Sequence, residues 1–251
     1  GGGSETDFYY GASPFPVARV YNDTPGRVLA KNYGDFFVLV GREEFDSLAD
    51  LEGARHGSLP PGPSTHFGMS VAVREQFGMD LEEFLNPSYL GPPPMANGVL
   101  QGELDAATLW APYSTEIRDT DGYHIIDSLD ATYKDATGHA PMFAGSAARV
   151  SYLEERREDI EQMLRVANAA ITEMENDPQL LEESGYLDFA EIDEGLRDLA
   201  IEEINGVFLT DYDPDQIAED VMFQYEKAVE LELIDEMPPE EIVDIIDIGE
   251  L

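Results

Sequence analysis

The sequence predicts an α/β fold with a helix-rich C-terminal portion. Short apolar runs alternate with amphipathic segments over the first 110 residues, which indicates buried strands joined by helices. From Tyr152 onward the pattern becomes that of long helices. Hydrophobic residues make up 43% of the 251 residues, enough to build one large domain or two small lobes. Strand–helix alternation favours a mostly parallel sheet on which the later helices pack.

The individual elements follow from short apolar runs and from the residues that interrupt them. Strands are predicted at residues 27–32, 36–40, 53–59, 86–90 and 106–110. Helices are predicted at residues 45–51, 64–77, 95–101, 152–176, 177–184, 191–205 and 213–233. Gly41 ends the strand at 36–40, Gly78 ends the helix at 64–77, and the prolines at 92–94 form a turn.

The charge balance is strongly acidic. There are 53 acidic and 14 basic residues, so the formal net charge is −39. Nucleic acid is excluded as a partner, because no basic stripe can displace counterions from phosphates. Only Lys31, Lys134 and Lys227 are lysines. Concentrated salt would screen the self-repulsion of such a surface, so we predict a halophilic source; an acidic mesophilic protein or a cation-chelating surface is the alternative.

Several classes of site are absent from the sequence. Without cysteine there is no disulfide framework, thiolate metal site or cysteine nucleophile. The four histidines are not paired at metal spacing, and the acidic run at residues 211–215 lacks the glycine of a calcium loop. We therefore predict no cofactor and no metal. No apolar stretch reaches about 18 residues, and GGGSETD carries no signal peptide, which indicates a mature protein or a chain that starts part-way along.

Two blocks of sequence carry a family resemblance. Residues 45–73, FDSLADLEGARHGSLPPGPSTHFGMSVAV, contain a "sL.DL.Gk.v"-like pattern, a Gly/Pro turn and a Ser-Thr helix start; residues 97–113, NGVLQGELDAATLWAPY, match "al..GevDAa..W.Py". Both blocks resemble the substrate-binding proteins of ABC importers of the nitrate/sulfonate/taurine family. Weaker similarity continues through residues 140–170 and 213–235, so the resemblance covers nearly the whole chain.

The resemblance implies a two-lobed, type II periplasmic-binding-protein-like fold whose lobes close on a ligand by hinge motion. Lobe one is expected at residues 1–33 plus 144–251 and lobe two at residues 34–143. An N-terminal portion of lobe one, roughly 60 residues as judged by the usual size of such a unit, is expected to be missing. The chain is expected to cross between the lobes near residues 32–35 and again near residues 141–144, and the glycine and small residues at both crossings suit a hinge.

The same resemblance implies a function. The protein would be an extracellular, lipid-anchored monomer at the cell surface that captures a small, anionic organic solute and delivers it to an ABC permease in the membrane. Alternatives are a relative that binds or synthesises a thiamine-precursor pyrimidine, or a solute-sensing module. The pyrimidine-synthesising enzymes use a cysteine-rich motif with histidine and iron, and this chain has no cysteine. We therefore predict a binding protein and not an enzyme.

The predicted helix start at Ser64, Thr65 and His66 is the first candidate binding feature. The preceding Pro/Gly turn leads abruptly into the helix, so the first backbone N–H groups are free at the positive end of the helix dipole. Such a terminus binds an anionic group without a basic side chain, and the two hydroxyls and the imidazole can add donors. The alternative is that Ser64 and Thr65 only cap the helix and that His66 points to solvent.

Trp110 and Tyr113 form the second candidate feature. Trp110 ends the predicted strand at 106–110, and the carboxyl ends of strands face the ligand crevice in open α/β sheets. The two rings could form the wall for the apolar part of a ligand. A core tryptophan packed between helix and sheet is the alternative.

Five further residues are candidates on the basis of the resemblance. Tyr10, Gly11 and Ser13 lie in a loop similar to the family's ligand-facing segment, and Tyr33 and Asp35 lie at the first crossing. Packing of the tyrosines and a solvated turn at Asp35 are the alternatives. A carboxylate there would disfavour an anion and favour an amine, so taurine-like and pyrimidine-like ligands both stay open.

Overall fold

The computed structural model describes residues 7–62, 64–190 and 192–249. These residues form two compact units. Unit 1 contains the described residues of Gly1–Gly34, Pro141–Thr172 and Leu209–Leu251, and unit 2 contains those of Asp35–Ala140 and Glu173–Phe208. None of the described helices is both long enough and apolar enough to cross a membrane.

The strands and helices are numbered here in chain order. The strands are β1 (Phe8–Ala12), β2 (Gly26–Lys31), β3 (Val38–Arg42), β4 (Arg55–Ser58), β5 (Asn86–Tyr89), β6 (Ala106–Leu109), β7 (Tyr123–Ser128) and β8 (Gly145–Arg149). The helices are α1 (Pro14–Arg19), α2 (Ser64–Phe77), α3 (Leu81–Phe84), α4 (Pro92–Leu100), α5 (Thr115–Asp119), α6 (Leu129–Thr137), α7 (Val150–Asn176), α8 (Gln179–Glu183), α9 (Tyr186–Phe189), α10 (Arg197–Asn205) and α11 (Pro214–Glu230). Three short 3-10 helices cover Leu48–Leu51, Glu194–Leu196 and Glu240–Ile242.

Unit 1 is built on a three-stranded antiparallel sheet in the order β1-β8-β2. Ala12 and Lys31 both register with Gly145, so β1 and β2 end at the edge where β8 begins. The last part of the chain runs beside β2, because the Ile246 N–H donates to the Leu29 carbonyl at 2.7 Å. Apolar residues of β2, α7 and this last segment form the core.

Unit 2 is built on a five-stranded sheet in the order β5-β4-β6-β3-β7. Strand β4 is parallel to β5 and β6, whereas β3 is antiparallel to β6 and β7. Four of the five strands of this sheet therefore run in the same direction and only β3 is reversed, so the prediction of a mostly parallel sheet holds for the strand directions of unit 2 and is wrong for unit 1. Apolar runs indicate that a segment is a strand but carry no information about its direction. The α/β class itself is confirmed.

Residues 173–208 pack into unit 2, whereas the sequence-based division put them into lobe one. Buried Leu181, Leu187, Ala200 and Ile204 form a cluster against which Ala111 of the β6–α5 loop packs. These buried apolar residues of α8, α9 and α10 are thus covered within unit 2, whereas Phe189 of α9 is exposed. Helix α7 begins in unit 1 and ends in unit 2, with one non-helical residue at Arg156.

We expect His56 of β4 to make unit 2 sensitive to acid. Its side chain is fully buried, its Nε2 atom lies 3.2 Å from the Thr108 hydroxyl, and its Nδ1 atom has no hydrogen-bond partner among the described residues. Burial lowers the pKa of His56 to about 4. Between the ordinary histidine pKa near 6.5 and that value, the unfolded chain binds a proton that the folded chain does not. Stability is therefore full above about pH 6.5 and falls by about 3 kcal/mol as the pH drops to about 4.

Urea unfolding of the wild type and of His56→Gln at several pH values between 7 and 4 gives the free energy of unfolding of each. We expect this free energy to fall more steeply with decreasing pH in the wild type than in His56→Gln. His124→Gln is the control, because His124 is only half-buried and its Nε2 atom lies 2.7 Å from the Phe45 carbonyl. Equal pH dependence of the wild type and His56→Gln would contradict the assignment.

Candidate functional site

One edge of the unit 2 sheet collects most of the predicted site residues. Parallel β4 and β6 both end at this edge, since Gly57 registers with Ala107. Antiparallel β3 begins there and β7 ends there, since Val38 registers with both Leu109 and Ser128. The residues that follow β4 and β6 and those that precede β3 therefore come together at this edge.

The N-terminus of α2 follows β4 at this edge. Thr65 is fully buried, and its Oγ1 atom has no hydrogen-bond partner among the described residues. The hydroxyl therefore does not cap the helix, and the first-turn N–H groups have no intrahelical acceptor. Ser64 is the first residue of the helix, and its side chain lies outside what the structure describes. A buried donor beside N–H groups that have no acceptor within the helix suits an anion.

The imidazole of His66 is held by other side chains of unit 2. Its Nε2 atom lies 3.4 Å from both the Glu82 carboxylate and the Tyr89 hydroxyl, and its Nδ1 atom lies 3.4 Å from the Ser70 hydroxyl. The side chain is nearly buried and does not point to solvent. Burial and the hydrogen bond to Glu82 raise the pKa of Tyr89 to about 12, so the tyrosine stays a donor to that carboxylate. A ligand contact by His66 stays a prediction.

Trp110 is the centre of an aromatic cluster. Its ring stacks on Phe36 with centroids 6.0 Å apart and meets Phe37 and Tyr113 edge-on at 5.4 and 5.7 Å. Trp110, Tyr113 and Phe36 are each half-buried, whereas Phe37 is buried. The tryptophan is therefore only partly a core residue, and ring surface stays accessible at the sheet edge. Sequence reasoning missed Phe36, although it lies next to the predicted residue Asp35.

Asp35 lies at the same edge, just before β3. It is exposed, and its carboxylate accepts a hydrogen bond from the Ser128 hydroxyl at the end of β7. Ser128 also caps α6, because its hydroxyl accepts from the Ala131 N–H at 3.0 Å. The hydrogen bond to Ser128 therefore fixes the position of the Asp35 carboxylate at the end of β7.

The other four predicted residues lie together in unit 1. Tyr10 and Tyr33 meet edge-on with ring centroids 6.3 Å apart, at the edge where β1 and β2 end. Burial, and next the neighbouring Tyr33, raise the pKa of Tyr10 to about 12. Gly11 has a φ of +79°, and the Ser13 hydroxyl is buried with no hydrogen-bond partner among the described residues. Their contact with a ligand stays a prediction.

Comparison with solved structures identifies the fold. The periplasmic aliphatic sulphonate binding protein SsuA from Escherichia coli aligns with a TM-score of 0.70 at 15% identity, over 93% of this chain and 73% of that one. The alkanesulfonate-binding protein SsuA from Xanthomonas axonopodis pv. citri, bound to MOPS, aligns with a TM-score of 0.66 at 13% identity, over 96% and 81%. No family model and no curated protein sequence matches the chain.

The desulfurization enzyme DSZB is also similar, with a TM-score of 0.55 at 14% identity, over 92% of this chain and 80% of that one. At these identities the likenesses establish the fold alone. This chain has the fold of the periplasmic solute-binding proteins. The comparison with DSZB indicates that the same fold also occurs in an enzyme, so function has to be argued from the site.

Proposed function

We propose that this protein binds a small, anionic organic solute, such as a sulfonate or a nitrate-like or taurine-like molecule, and delivers it to an ABC permease in the membrane. The observation that carries the proposal is the buried, unpartnered hydroxyl of Thr65 at the N-terminus of α2. An unsatisfied buried donor costs about 1–3 kcal/mol, and an anionic oxygen at this point would remove that cost. The similar structures that bind sulfonates support the choice of anion.

The aromatic cluster supports an organic solute and not an inorganic anion alone. Half-buried Trp110 and Tyr113 present ring surface at the same sheet edge as α2. A short alkyl chain attached to an anionic group could lie against these rings while the anion contacts the helix N-terminus. Binding without catalysis is the activity that this combination supports.

The partners and the location belong to the same proposal. We place the protein outside the cell, as a lipid-anchored monomer at the cell surface that works with a membrane permease. The net charge of −39 repels anions at long range, and concentrated salt would screen that repulsion. The acidic composition therefore accords with a halophilic source, and neutral donors at α2 let the site bind an anion in salt.

Thermal unfolding in 2 M NaCl with a solute panel tests the proposal. The panel contains alkanesulfonates, taurine, nitrate, bicarbonate and a thiamine-precursor pyrimidine. A ligand at 100 times its Kd stabilises the protein by about 2.7 kcal/mol, which raises the melting temperature by roughly 5–10 °C. We expect this shift with sulfonates. A shift with the pyrimidine alone would mean that the bound solute is a pyrimidine and not an anion. A cooperative transition whose melting temperature no solute raises would contradict solute binding. Ligand-free melting at low salt tests the halophilic source, which predicts a lower melting temperature there.

A further inference from the structure

Both ring nitrogens of His66 face oxygen atoms whose own protons are used elsewhere. The Ser70 hydroxyl lies 3.4 Å from Nδ1, but it donates its proton to the His66 carbonyl at 2.8 Å. The Tyr89 hydroxyl lies 3.4 Å from Nε2, but it donates to the Glu82 carboxylate at 2.8 Å. The same Glu82 oxygen lies 3.4 Å from Nε2, and an ionised carboxylate only accepts. Each ring nitrogen therefore faces acceptors.

The protonated form of the imidazole suits these contacts. A neutral ring has one N–H and one lone pair, so one of its nitrogens would face an acceptor without a proton between them. The imidazolium donates to Ser70 from Nδ1 and to Glu82 and Tyr89 from Nε2. Burial raises the pKa of Glu82, but the hydrogen bonds that it accepts, first from Tyr89, outweigh burial and hold this pKa below its usual value. The carboxylate is thus ionised at neutral pH and stabilises a cation on His66.

The imidazolium has few other charged neighbours. The charged side chains of α6, which packs along α2, are those of Asp130, Lys134 and Asp135, and none of them contacts the ring in the part of the chain that the structure describes. The positive end of the α2 dipole disfavours a cation, and Glu82 offsets this effect. Because the His66 side chain is only 10% exposed, little water solvates its charge. An anion at α2 would supply a second counter-charge.

Covalent geometry places the ring within reach of an anion at the start of α2. The first four N–H groups of a helix have no acceptor within it, and the N–H of His66, the third residue of α2, is among them. Both ring nitrogens lie within about 6 Å of that N–H, and an acceptor lies about 3 Å from its donor. The ring is therefore within about 9 Å of the anion. Attraction between unit charges at this distance corresponds to about tenfold in affinity.

We propose that His66 supplies the positive charge of the anion site, so that capture of the solute is coupled to the proton that this imidazole shares with Glu82. The inference rests on the proposed function, since the anion would lie at α2. An anion gains from the imidazolium and not from the neutral ring, so its binding favours uptake of a proton. Affinity is therefore highest where His66 is protonated, and it falls as rising pH removes the proton.

Calorimetric titration with ethanesulfonate at constant ionic strength, between pH 5.5 and 8.5, tests the proposal. Ethanesulfonate stays a monoanion over this range, in which histidines titrate. We expect the affinity of the wild type to fall about tenfold from the lowest to the highest pH. Buffers of different ionisation enthalpy should reveal uptake of up to one proton per bound solute at the alkaline end. A melting curve at each pH checks the fold.

Three variants assign the pH dependence. His66→Gln keeps a donor for Glu82 but has no charge, so it should bind about tenfold more weakly than the wild type at pH 5.5, bind equally at pH 8.5, and lose the pH dependence. Glu82→Gln removes the carboxylate that holds the proton and should move the fall in affinity to lower pH. Glu82 is 55% exposed, so this variant keeps the test valid if His66→Gln does not fold. His124→Gln, at the other end of the sheet, is the matched control.

The outcomes separate this inference from the proposed function. Ethanesulfonate binding that pH does not change, or a pH dependence that His66→Gln retains, would overturn the role of His66 while solute binding stands. Loss of the pH dependence in His124→Gln to the same extent would also overturn it. If no solute binds the cooperatively folded wild type at any pH, the solute-binding function fails, and the coupling to His66 fails with it.

Discussion

Replacement of Thr65 by aspartate is expected to weaken the binding of anionic solutes by about 100-fold or more. The new carboxylate would accept from the first-turn N–H groups of α2, which have no acceptor within the helix, and would repel an incoming anion at short range. Aspartate is favoured in the first turn of a helix, and its volume is close to that of threonine, so the fold should persist. Titration calorimetry with the tightest sulfonate of the panel measures the affinity, and a melting curve checks the fold.

Thr65→Val separates the role of the hydroxyl from the role of charge. The valine has nearly the same shape but no donor, so we expect a loss of roughly tenfold, the effect of one hydrogen bond to a charged group. Because the Thr65 hydroxyl has no hydrogen-bond partner among the described residues, its removal should leave unligated stability unchanged or slightly higher. If both variants bind as tightly as the wild type, the anion does not lie at α2.

Replacement of Gly145 by alanine is expected to destabilise unit 1 by about 4 kcal/mol or more, which is at the upper end of single-substitution effects. Gly145 begins β8, the central strand, and registers with both neighbours. A Cβ atom there would overlap the Ala30 carbonyl oxygen and the Met142 side chain. The methionine can move, but the carbonyl belongs to the backbone of β2 and cannot move without opening the sheet.

Urea unfolding checks this expectation, with Gly195→Ala as the matched control. A Cβ atom at Gly195 would meet nothing within 4 Å, and its φ is not in the left-handed region, so the control should change the free energy of unfolding by less than about 0.5 kcal/mol. A loss below about 1 kcal/mol in Gly145→Ala would show that β2 adapts to a side chain.

Elements with a strong local signal were predicted well from the sequence. The prediction of a helix at 152–176 is confirmed by α7, Val150–Asn176, because apolar residues recur at helical spacing along most of its length. Strand β1, Phe8–Ala12, and strand β7, Tyr123–Ser128, were not predicted. Strand β8, Gly145–Arg149, contains glycine, serine and alanine, which favour no strand locally. Residues 145–149 form a strand because they pair with β1 on one side and β2 on the other, and both partners lie far away in the sequence.

Local motifs likewise gave part of the candidate site. The abrupt turn before Thr65 and the tryptophan after β6 are local features, and the structure brings both to one sheet edge. The hydrogen bond from Ser128 to Asp35 joins residues 93 positions apart, and the Arg118–Glu203 pair joins residues 85 positions apart. Such contacts depend on strand order, which short motifs do not encode. The hydrogen-bond partner of Asp35 was therefore not predictable from the sequence.

The chain passes between the two units four times, after Gly34, Ala140, Thr172 and Phe208. Neither unit is therefore a continuous stretch of polypeptide, and no single cut can release one of them intact. The order of synthesis follows from the same connectivity. Unit 2 has all of its residues once Phe208 has been made, whereas the core of unit 1 still lacks Ile246 and Ile248. On the ribosome, unit 2 can form first, and the first strands of the chain must wait for some of the last residues to complete their core.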